Sequence, residues 1–414
     1  MTAENLISYH DTSYHESVAD DPRESIGDVE EAPGKVWFRT LDEAVIEADR
    51  CVQCASCVAA CPSNSIGIDE AEGRPTLVRM CTGCSSCWDY CPRSGLRYER
   101  IIALAEEERG LEEPQTYAAR AKPEAVHEAG QDGGVVTALL GDLLDEGVID
   151  GTVVAREREG EPLSGAAALA TTREELIDGA GSVYTQTMGL GRIDDLLADA
   201  GLDSDADLAL VGTPCTIQGA SALERYDHGS ASPIALTVAL FCTRSFEARR
   251  LASTVADYGV DPDDVAKLDV SGGVLYALDA TGETLLEEDV DAFESAGLRG
   301  CDECADFVGA AADVSVGSVG SPDGETTVVI RTPRGERAWN LTTSIEFEGL
   351  EETGALDGLE RWNRRRAISI TPREYDPEGS VGISTAEHRE AYDGTDREPE
   401  QLNPARVHQY EEWC

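Results

Sequence analysis

Apolar and polar positions alternate with two different periods through the middle of the chain. Val135 to Glu146 (VVTALLGDLLDE) has apolar residues at helical spacing, and Gly147 ends the predicted helix. Four short apolar runs are typical of buried strands: Thr152 to Ala155, Asp207 to Val211, Ile234 to Phe241 and Thr326 to Arg331. Further helices are predicted after the second run and over Glu336 to Glu351. This alternation of strands and helices predicts an α/β body.

The segments on either side of this body have different patterns. Residues 1–38 are acidic and lack clear periodicity, which predicts an extended arm, and residues 39–100 predict a small separate domain. Residues 101–123 predict a connecting helix that Pro114 interrupts. Residues 366–414 predict an acidic tail that wraps the protein or is partly disordered. The body between them is divided into two parts, residues 124–205 and 206–365.

The chain is strongly acidic. Its 414 residues include 81 acidic and 33 basic side chains, which gives a formal net charge of −48. Nucleic-acid phosphate and anionic lipid both need a basic face, so neither is an expected partner. Only three of the 33 basic residues are lysines. An acidic surface with so few lysines favours an extremely halophilic host, because molar salt shortens the Debye length to about 3 Å and screens the repulsion between its charges. The alternative is an ordinary acidic protein.

No segment has the length of a membrane span. The apolar stretch from Ile234 to Cys242 is much shorter than the roughly 20 residues that a spanning helix needs. Met1 to Asp21 is polar and acidic, unlike a secretory signal. We therefore expect no membrane insertion and a cytoplasmic protein.

Eight of the thirteen cysteines form two copies of one pattern. Cys51, Cys54, Cys57 and Cys61 precede Pro62, and Cys81, Cys84, Cys87 and Cys91 precede Pro92, both with the spacing C-x2-C-x2-C-x3-C-P. In bacterial ferredoxins with this spacing, three cysteines bind one [4Fe–4S] cluster and the fourth binds the other. One cluster is then assigned to Cys51, Cys54, Cys57 and Cys91, and the second to Cys81, Cys84, Cys87 and Cys61. Disulfides and zinc are the alternatives, which a reducing cytoplasm and the three-step spacing disfavour.

This spacing predicts that residues 39–100 form a ferredoxin-like α+β domain with two clusters. Such a domain carries single electrons and changes no bonds in a substrate. More than three hundred residues follow it, so it is predicted to be a relay that serves a larger unit.

Four of the remaining cysteines predict a third cluster. Cys215 and Cys242 each follow a predicted strand, and Cys301 and Cys304 form a C-x2-C pair. Because strand ends of an open α/β sheet meet at one edge, these four thiols are expected to come together. Taken singly, each is also compatible with a small buried side chain, and the pair with half a zinc site or a redox pair. Cys414, the last residue, has no assigned role.

Two glycine loops and one group of arginines are candidate sites for an anionic ligand. The loops are Gly133-Gly134, which precedes a predicted helix, and residues 317–321. Either frees backbone N–H groups for a ligand, or is a plain turn. The arginines are Arg361, Arg364, Arg365 and Arg366, with Arg331 at a predicted strand end. Alternatively, these arginines lie on a solvated surface and pair with nearby glutamates.

Six segments resemble one known family in order and spacing. They are GQDGGVVTALLGDLLDEGVIDG (130–151), GSVYTQT (181–187), VGTPCTIQG (211–219), LFC (240–242), CDECADF (301–307) and ADVSVGSVGS (312–321). The chain resembles the coenzyme F420 hydrogenase/dehydrogenase beta subunits over roughly residues 124–350. That family includes formate dehydrogenase beta subunits and 7-hydroxymethyl chlorophyll a reductases. Residues 39–100 resemble the ferredoxin module that some members carry in front.

The resemblance implies a bound FAD, which makes the larger α/β domain a flavin-binding domain. It implies flavin contacts at Gly133, Gly134, Thr137, Tyr184, Gln186, Thr213 and Asp306. It also implies a [4Fe–4S] cluster on Cys215, Cys242, Cys301 and Cys304, so that the clusters number three.

The implied activity joins two-electron and one-electron chemistry. Coenzyme F420 moves a hydride, a cluster accepts one electron, and FAD can do both. The hypothesis is an oxidoreductase that passes electrons between coenzyme F420, or another small hydride carrier, and the clusters, with a redox partner protein or ferredoxin beyond them. The alternatives are a ferredoxin-dependent flavoprotein reductase of a carbon substrate and a non-catalytic relay subunit. No catalytic side chain is predicted.

Overall fold

The computed structural model describes residues 37–94, 110–111, 113–158, 160–161, 163–225 and 228–370. The strands are β1 (Ile66–Asp69), β2 (Arg74–Leu77), β3 (Gln115–Ala121), β4 (Gly151–Glu157), β5 (Gly165–Ala170), β6 (Leu208–Gly212), β7 (Ile234–Leu240), β8 (Lys267–Ser271), β9 (Val274–Leu278), β10 (Thr284–Asp289), β11 (Val314–Gly317), β12 (Thr326–Ile330) and β13 (Ile345–Gly349). The α-helices are α1 (Phe38–Leu41), α2 (Ser56–Ala59), α3 (Ser86–Asp89), α4 (Glu124–Ala129), α5 (Val135–Asp145), α6 (Arg173–Asp178), α7 (Ile193–Ala200), α8 (Pro214–Arg225), α9 (Ala248–Asp257), α10 (Pro333–Asn340) and α11 (Gly354–Ile370). A π-helical turn spans Asp42–Ile46, and 3-10 turns span Gly189–Arg192, Gly229–Ala231, Pro262–Asp264, Val290–Ala296 and Arg299–Glu303.

The body is an eight-stranded mixed sheet with the order β13-β3-β12-β11-β7-β6-β4-β5. β4, β6, β7 and β11 are parallel neighbours, whereas the flanking strands pair antiparallel. Thr326 at the start of β12 pairs with Ala119 near the end of β3, so β3 ends at the same edge as the parallel strands. The loops after β3, β6, β7 and β11 therefore converge at this edge, as in other open α/β sheets.

Successive residues of the central strands face two separate cores. Leu208 and Leu210 of β6 lie in the core that contains α7 and α8. Ala209 between them lies in the core that contains α5 and α10. The sheet is thus covered on both faces, which is the arrangement that parallel strands require. The predicted α/β body is confirmed.

Residues 37–94 form a small ferredoxin-type unit in front of the body. The β1–β2 hairpin pairs Ile66 with Leu77, and the short helices α2 and α3 each contain the third cysteine of a run, Cys57 and Cys87. Phe38, Leu41 and Trp88 pack with the cysteines in one core. The predicted ferredoxin-type N-terminal region is thereby confirmed.

A three-stranded antiparallel sheet, β10-β9-β8, stands beside the body. With α9 it encloses a core around Phe246, Leu251 and Phe293, against which Tyr184 packs. None of these strands, with the sequences KLDVS, VLYAL and TLLEED, was predicted.

Two predicted helices are wrong in part. Gln115–Ala121, the second half of the predicted connecting helix 101–123, is strand β3, paired with β12 and β13 on its two sides. The predicted helix Glu336–Glu351 contains only the end of α10 and then strand β13. Alanine favours helices, but pairing on both sides and close packing overrode that preference in β3.

The predicted boundaries of the body also need correction. Because β3 belongs to the large sheet, the body begins before residue 124. Helix α11 continues through the predicted boundary at 365/366. Most of the predicted arm (residues 1–36) and most of the predicted tail (residues 371–414) lie outside the described residues.

The described surface is acidic, and no described helix has the length and hydrophobicity to cross a bilayer. Within the described ranges, the buried carboxylates are those of Asp142, Glu303, Asp306 and Asp313. The other described carboxylates are at least partly exposed, so most of the described negative charge lies at the surface.

Candidate redox site

The two cysteine runs have the same local backbone. Gln53 and Gly83, at matching places in the two runs, both have left-handed backbone, with φ of 54° and 69°. Gln53 N–H donates to Cys51 Sγ at 3.4 Å, and Gly83 N–H donates to Cys81 Sγ at 3.3 Å. Such N–H bonds to sulfur are among the features that tune iron–sulfur clusters. The same backbone conformation therefore places an N–H group against the sulfur of the first cysteine in both runs.

The fourth cysteine of the second run lies beside the first run. Burial raises the pKa of the Cys51 thiol to about 12, and its neighbours Cys54 and Cys91 add to this shift. Burial also raises the pKa of Cys57, again with Cys91 and Cys54 adding to it. Buried thiolates need a positive counter-charge, which iron provides. This proximity is what the assignment of Cys51, Cys54, Cys57 and Cys91 to one cluster requires, and the assignment itself stays a prediction.

The other predicted set lies nearer to solvent. Cys61 and Cys87 are buried, Cys81 is half-buried and Cys84 is exposed. Ser65 N–H donates to Cys61 Sγ at 3.3 Å. We call Cys61, Cys81, Cys84 and Cys87 the outer cysteine set.

The four cysteines of the body come together at the sheet edge. Cys215 lies in the first turn of α8, directly after β6, Cys242 follows β7, and Cys301 and Cys304 lie at the turn Arg299–Glu303. Burial raises the pKa of Cys242, and Cys301 and Cys304 add to that shift. We call these four residues the body cysteine set.

The cysteine sets do not have the geometry of a single-ion site. Within the described residues, no three Cys, His, Asp or Glu side chains are arranged to bind one metal ion. Zinc needs its sulfur ligands about 2.3 Å from one point, whereas a cubane places its irons at separate corners.

Cys54 of the ferredoxin-type unit touches the body cysteine set. Cys54, Cys215 and Cys301 form one buried cluster with Val52 and Leu298. After burial, Cys54 is the largest contribution to the raised pKa of Cys215, ahead of the other body cysteines. The first cysteine run and the body set are thus in direct contact.

Glycines permit the close approach of the two parts. A Cβ atom on Gly300 would overlap the carbonyl oxygen of Arg50, and one on Gly219 would overlap the Ser56 hydroxyl. Arg93 Nε donates to the Gly300 carbonyl at 2.8 Å across the same contact. None of these residues was predicted, because their partners lie far away in the sequence.

A polar group lies beside Cys215. Gln186 Nε2 donates to Thr213 Oγ1 at 3.0 Å and to Ser245 Oγ at 2.8 Å, and lies 3.8 Å from Cys215 Sγ. Thr213 Oγ1 lies 3.2 Å from the same sulfur. The structure therefore brings the predicted residues Gln186 and Thr213 together at the body cysteine set. Ser245 is a member that the sequence did not reveal.

The Gly133-Gly134 loop is packed on the same sheet edge. Gly133 N–H donates to Thr326 Oγ1 at 3.1 Å, and a Cβ there would be 2.6 Å from the carbonyl oxygen of Ala119. Gly134 has φ of 66° and caps α5, in which Thr137 is buried. Packing on the sheet requires Gly133, and the left-handed φ together with the nearby Val126 carbonyl requires Gly134, so flavin contact is not needed to explain either glycine.

Two polar side chains beside this loop contain buried atoms without a partner. Gln131 Nε2 and Oε1 and Glu325 Oε2 form no hydrogen bond with any described residue. Gln131 precedes the glycine loop, and Glu325 adjoins Thr326, whose hydroxyl binds Gly133. Unsatisfied buried groups cost about 1–3 kcal/mol each. A flat ring with donor and acceptor atoms along one edge would satisfy them, so these residues fit a flavin.

Tyr184 lies on the side of the small sheet. Its hydroxyl accepts a hydrogen bond from Val270 N–H at 3.0 Å. Burial raises the pKa of Tyr184, and Asp269 and Asp132 add to the shift. Burial also raises the pKa of Asp132, where Lys267 opposes the effect. Tyr184 and these charged groups thus lie near one another beside the glycine loop.

Asp306 is held by the chain itself. It accepts hydrogen bonds from Gln218 Nε2 at 2.8 Å, Gly309 N–H at 2.8 Å and Ala310 N–H at 3.2 Å. Burial raises the pKa of this carboxyl. These bonds fix the loop after Cys304. A flavin contact at Asp306 stays a prediction.

The candidate arginines have different surroundings. Arg366 Nη2 donates to the carbonyls of Thr243 at 2.7 Å and Cys301 at 3.1 Å, so it braces the backbone of the body cysteine set. Arg331 is buried and donates to Ser315 Oγ. Arg361 and Arg365 are exposed.

Family profiles match most of the described chain. Residues 116–193 match the N-terminal part, and residues 205–353 the C-terminal part, of the coenzyme F420 hydrogenase/dehydrogenase beta subunit. Residues 43–92 match the 4Fe-4S dicluster domain. These ranges include every cysteine of the two runs and of the body set.

Individual proteins match over different parts of their length. Coenzyme F420-dependent sulfite reductase of Methanocaldococcus jannaschii is 33% identical over 76% of this chain, which spans about half (49%) of that relative. The beta subunit of coenzyme F420 hydrogenase from Methanococcus voltae is 31% identical over 58% of this chain and 84% of its own length. A chain of the F420-reducing [NiFe] hydrogenase complex from Methanosarcina barkeri has a TM-score of 0.56 and 30% identity, with 61% of this chain and 88% of that chain covered.

Proposed function

The chain belongs to the family of coenzyme F420 hydrogenase/dehydrogenase beta subunits, which are oxidoreductases, and from that premise we propose that it passes electrons between coenzyme F420 and three [4Fe–4S] clusters through a bound FAD. A flavin, when bound, exchanges a hydride on one side and single electrons on the other. A redox partner protein or ferredoxin would exchange electrons with the cluster that Cys61, Cys81, Cys84 and Cys87 would hold.

The contact between Cys54 and the body cysteine set supports this function most directly. Electrons that enter at the sheet edge need closely spaced carriers to reach the ferredoxin-type unit. Cys54 adjoins Cys215 and Cys301, and Cys91 adjoins the first run in turn. The outer cysteine set, which includes the exposed Cys84, then follows. The proposed electron path therefore begins at the body cysteine set, continues through the first run with Cys91, and ends at the outer cysteine set.

The flavin site in this proposal lies at the sheet edge between the glycine loop and the body cysteine set. The Gly133-Gly134 loop presents the start of α5, where backbone N–H groups suit a phosphate or a ring carbonyl. Gln131 and Glu325 supply the unpartnered polar atoms. Gln186 connects Thr213 with Cys215 on the opposite side.

The side chains in this proposal bind and orient, and none acts as a catalytic acid or base. Gln186 holds Thr213 and Ser245 beside the body set. Tyr184 is itself fixed by Val270, so that the small sheet closes one side of the site. Asp306 acts on the loop after Cys304 rather than on a substrate.

The direct test mixes reduced coenzyme F420 with the purified protein without oxygen and at high salt. We expect loss of flavin absorbance followed by loss of cluster absorbance. Flavin that stays oxidised, in protein with stoichiometric FAD, would contradict the proposal. If reduced ferredoxin then reduced the flavin, the result would instead favour a ferredoxin-dependent flavoprotein reductase of a carbon substrate. Purified protein that contains no FAD would instead favour the non-catalytic relay subunit.

A further inference from the structure

The segment from strand β2 to Met80 is largely exposed and carries both apolar and basic side chains. Leu77, Val78 and Met80 are 46%, 56% and 89% exposed. Arg74 and Arg79 are exposed beside them. We call these five residues the hairpin patch. Adjacent apolar side chains on a surface mark an interaction site more often than isolated ones do.

The hairpin patch is joined directly to the outer cysteine set. Val78 N–H donates to the Ser65 carbonyl at 2.8 Å, and the Ser65 hydroxyl donates to the Met80 carbonyl at 2.9 Å. Ser65 N–H in turn donates to Cys61 Sγ. Met80 also directly precedes Cys81. A protein seated on the patch would therefore lie beside the outer set.

The charge of the hairpin patch is opposite to that of the whole chain. Residues 73–88 contain no acidic side chain, although the net charge is −48. Of the hairpin acids, Glu70 pairs with Arg158 and Arg192 and Glu72 with Arg249, whereas Asp69, the cross-strand neighbour of Arg74, accepts hydrogen bonds from Ala71 N–H and Glu72 N–H. Neither Arg74 nor Arg79 forms an ion pair with a described residue. The patch itself thus carries two positive charges and no negative one, on an acidic molecule.

We propose that the hairpin patch is the docking surface for an acidic protein that carries single electrons. This rests on the proposed function, because it assigns the outer set as the point of exchange. Reduced coenzyme F420 gives up two electrons and two protons in total. Each docking event reduces one oxidised partner by one electron, so two partners are reduced and two protons pass to solvent for each coenzyme oxidised.

The composition of the patch suits binding in salt. Charges act only at contact distance when the Debye length is about 3 Å, so the apolar side chains would supply most of the affinity. Arg74 and Arg79 would then select acidic partners and orient them. Exposed apolar residues, together with two arginines that form no ion pair with a described residue, suit such a partner.

The test compares two acceptors for electrons from reduced coenzyme F420, an acidic [2Fe–2S] ferredoxin and benzyl viologen. For the double variant Arg74→Glu, Arg79→Glu we expect a rise of about tenfold in the KM for ferredoxin, with the saturating rate and the viologen rate unchanged. Arg337→Glu, an exposed arginine on α10, is the matched control and should change neither value. Leu77→Ser should also raise this KM, whereas Leu341→Ser, a leucine of similar exposure (44% against 46%), should not.

Two results would overturn the docking proposal alone. One is an unchanged ferredoxin KM in the double variant, or an equal rise with Arg337→Glu. The other is a dimer of this chain that Leu77→Ser dissociates, which would assign the patch to a second copy. Failure of the parent protein to reduce viologen would instead contradict the proposed function, and the docking proposal with it.

Discussion

Arg50 and Glu303 form a two-point ion pair between the ferredoxin-type unit and the body. Arg50 Nε donates to Glu303 Oε1 at 2.8 Å and Arg50 Nη2 donates to Glu303 Oε2 at 2.9 Å, with the side chains only 18% and 7% exposed. Arg50 directly precedes Cys51, and Glu303 lies between Cys301 and Cys304. The pair therefore fixes the spacing of the two cysteine sets that touch.

Replacing one partner of this pair should loosen the contact. Glu303→Ala leaves the Arg50 guanidinium largely buried and unpaired, which typically costs about 3–5 kcal/mol. We expect a lower midpoint in guanidinium unfolding and slower cluster reduction after flavin reduction in stopped flow. Glu43→Ala, which breaks the exposed pair with Arg39 (53% and 86% exposed), should cost less than about 1 kcal/mol. Equal effects of the two variants would contradict this role.

Gly300 should not tolerate a methyl group. The added Cβ of Gly300→Ala would meet the carbonyl oxygen of Arg50, so the two parts must separate. We expect slower electron transfer from the flavin to the clusters, while flavin reduction itself stays unchanged. Gly358→Ala is the matched control, because a Cβ there meets nothing within 4 Å and alanine favours helix α11 by about 0.5–1 kcal/mol. Unaltered cluster reduction in Gly300→Ala would refute the importance of this close approach.

Gln131→Ala separates ligand binding from folding. Both amide atoms of Gln131 are buried and have no hydrogen-bond partner among the described residues, so their removal should leave the flavin-free protein as stable as before or slightly more stable. If they contact the flavin, the dissociation constant for FAD should rise by about tenfold, the equivalent of one or two hydrogen bonds. Equilibrium dialysis and thermal unfolding measure the two quantities. Glu128→Ala, at an exposed position of α4, is the control; unchanged FAD affinity in Gln131→Ala would remove Gln131 from the site.

The folded state should depend on salt. A net charge of −48 repels itself, and the Debye length falls from about 8 Å at 0.15 M to about 3 Å at 1 M salt. We expect the Tm to rise by on the order of 10 °C between 0.15 M and 3 M KCl, in circular dichroism. A Tm that is flat or falls over this range would contradict the halophilic interpretation.

The sequence predicted features that depend on neighbouring residues. The two cysteine runs, helix α5 and strands β6, β7 and β12 follow from local spacing and apolar patterns. The body cysteines extend from Cys215 to Cys304, and strand ends together with the family resemblance were needed to predict that they meet.

Features that depend on distant partners were missed. Gly300 is required by Arg50, which is 250 positions away, and no local pattern records that contact. Strand β3 has an alanine-rich sequence that alone favours a helix, and only pairing with β12 and β13 makes it a strand. Orphaned polar atoms such as those of Gln131 appear only once the burial of each atom is known.

The most direct test of the electron path compares the parent protein with Cys304→Ala. The parent should contain about twelve irons per chain and Cys304→Ala about eight, because one [4Fe–4S] cluster is lost. In Cys304→Ala, dithionite should still reduce the clusters of the ferredoxin-type unit, whereas reduced coenzyme F420 should reduce only the flavin. If reduced coenzyme F420 reduced those clusters at the parent rate in Cys304→Ala, the path through the body cysteine set would be wrong.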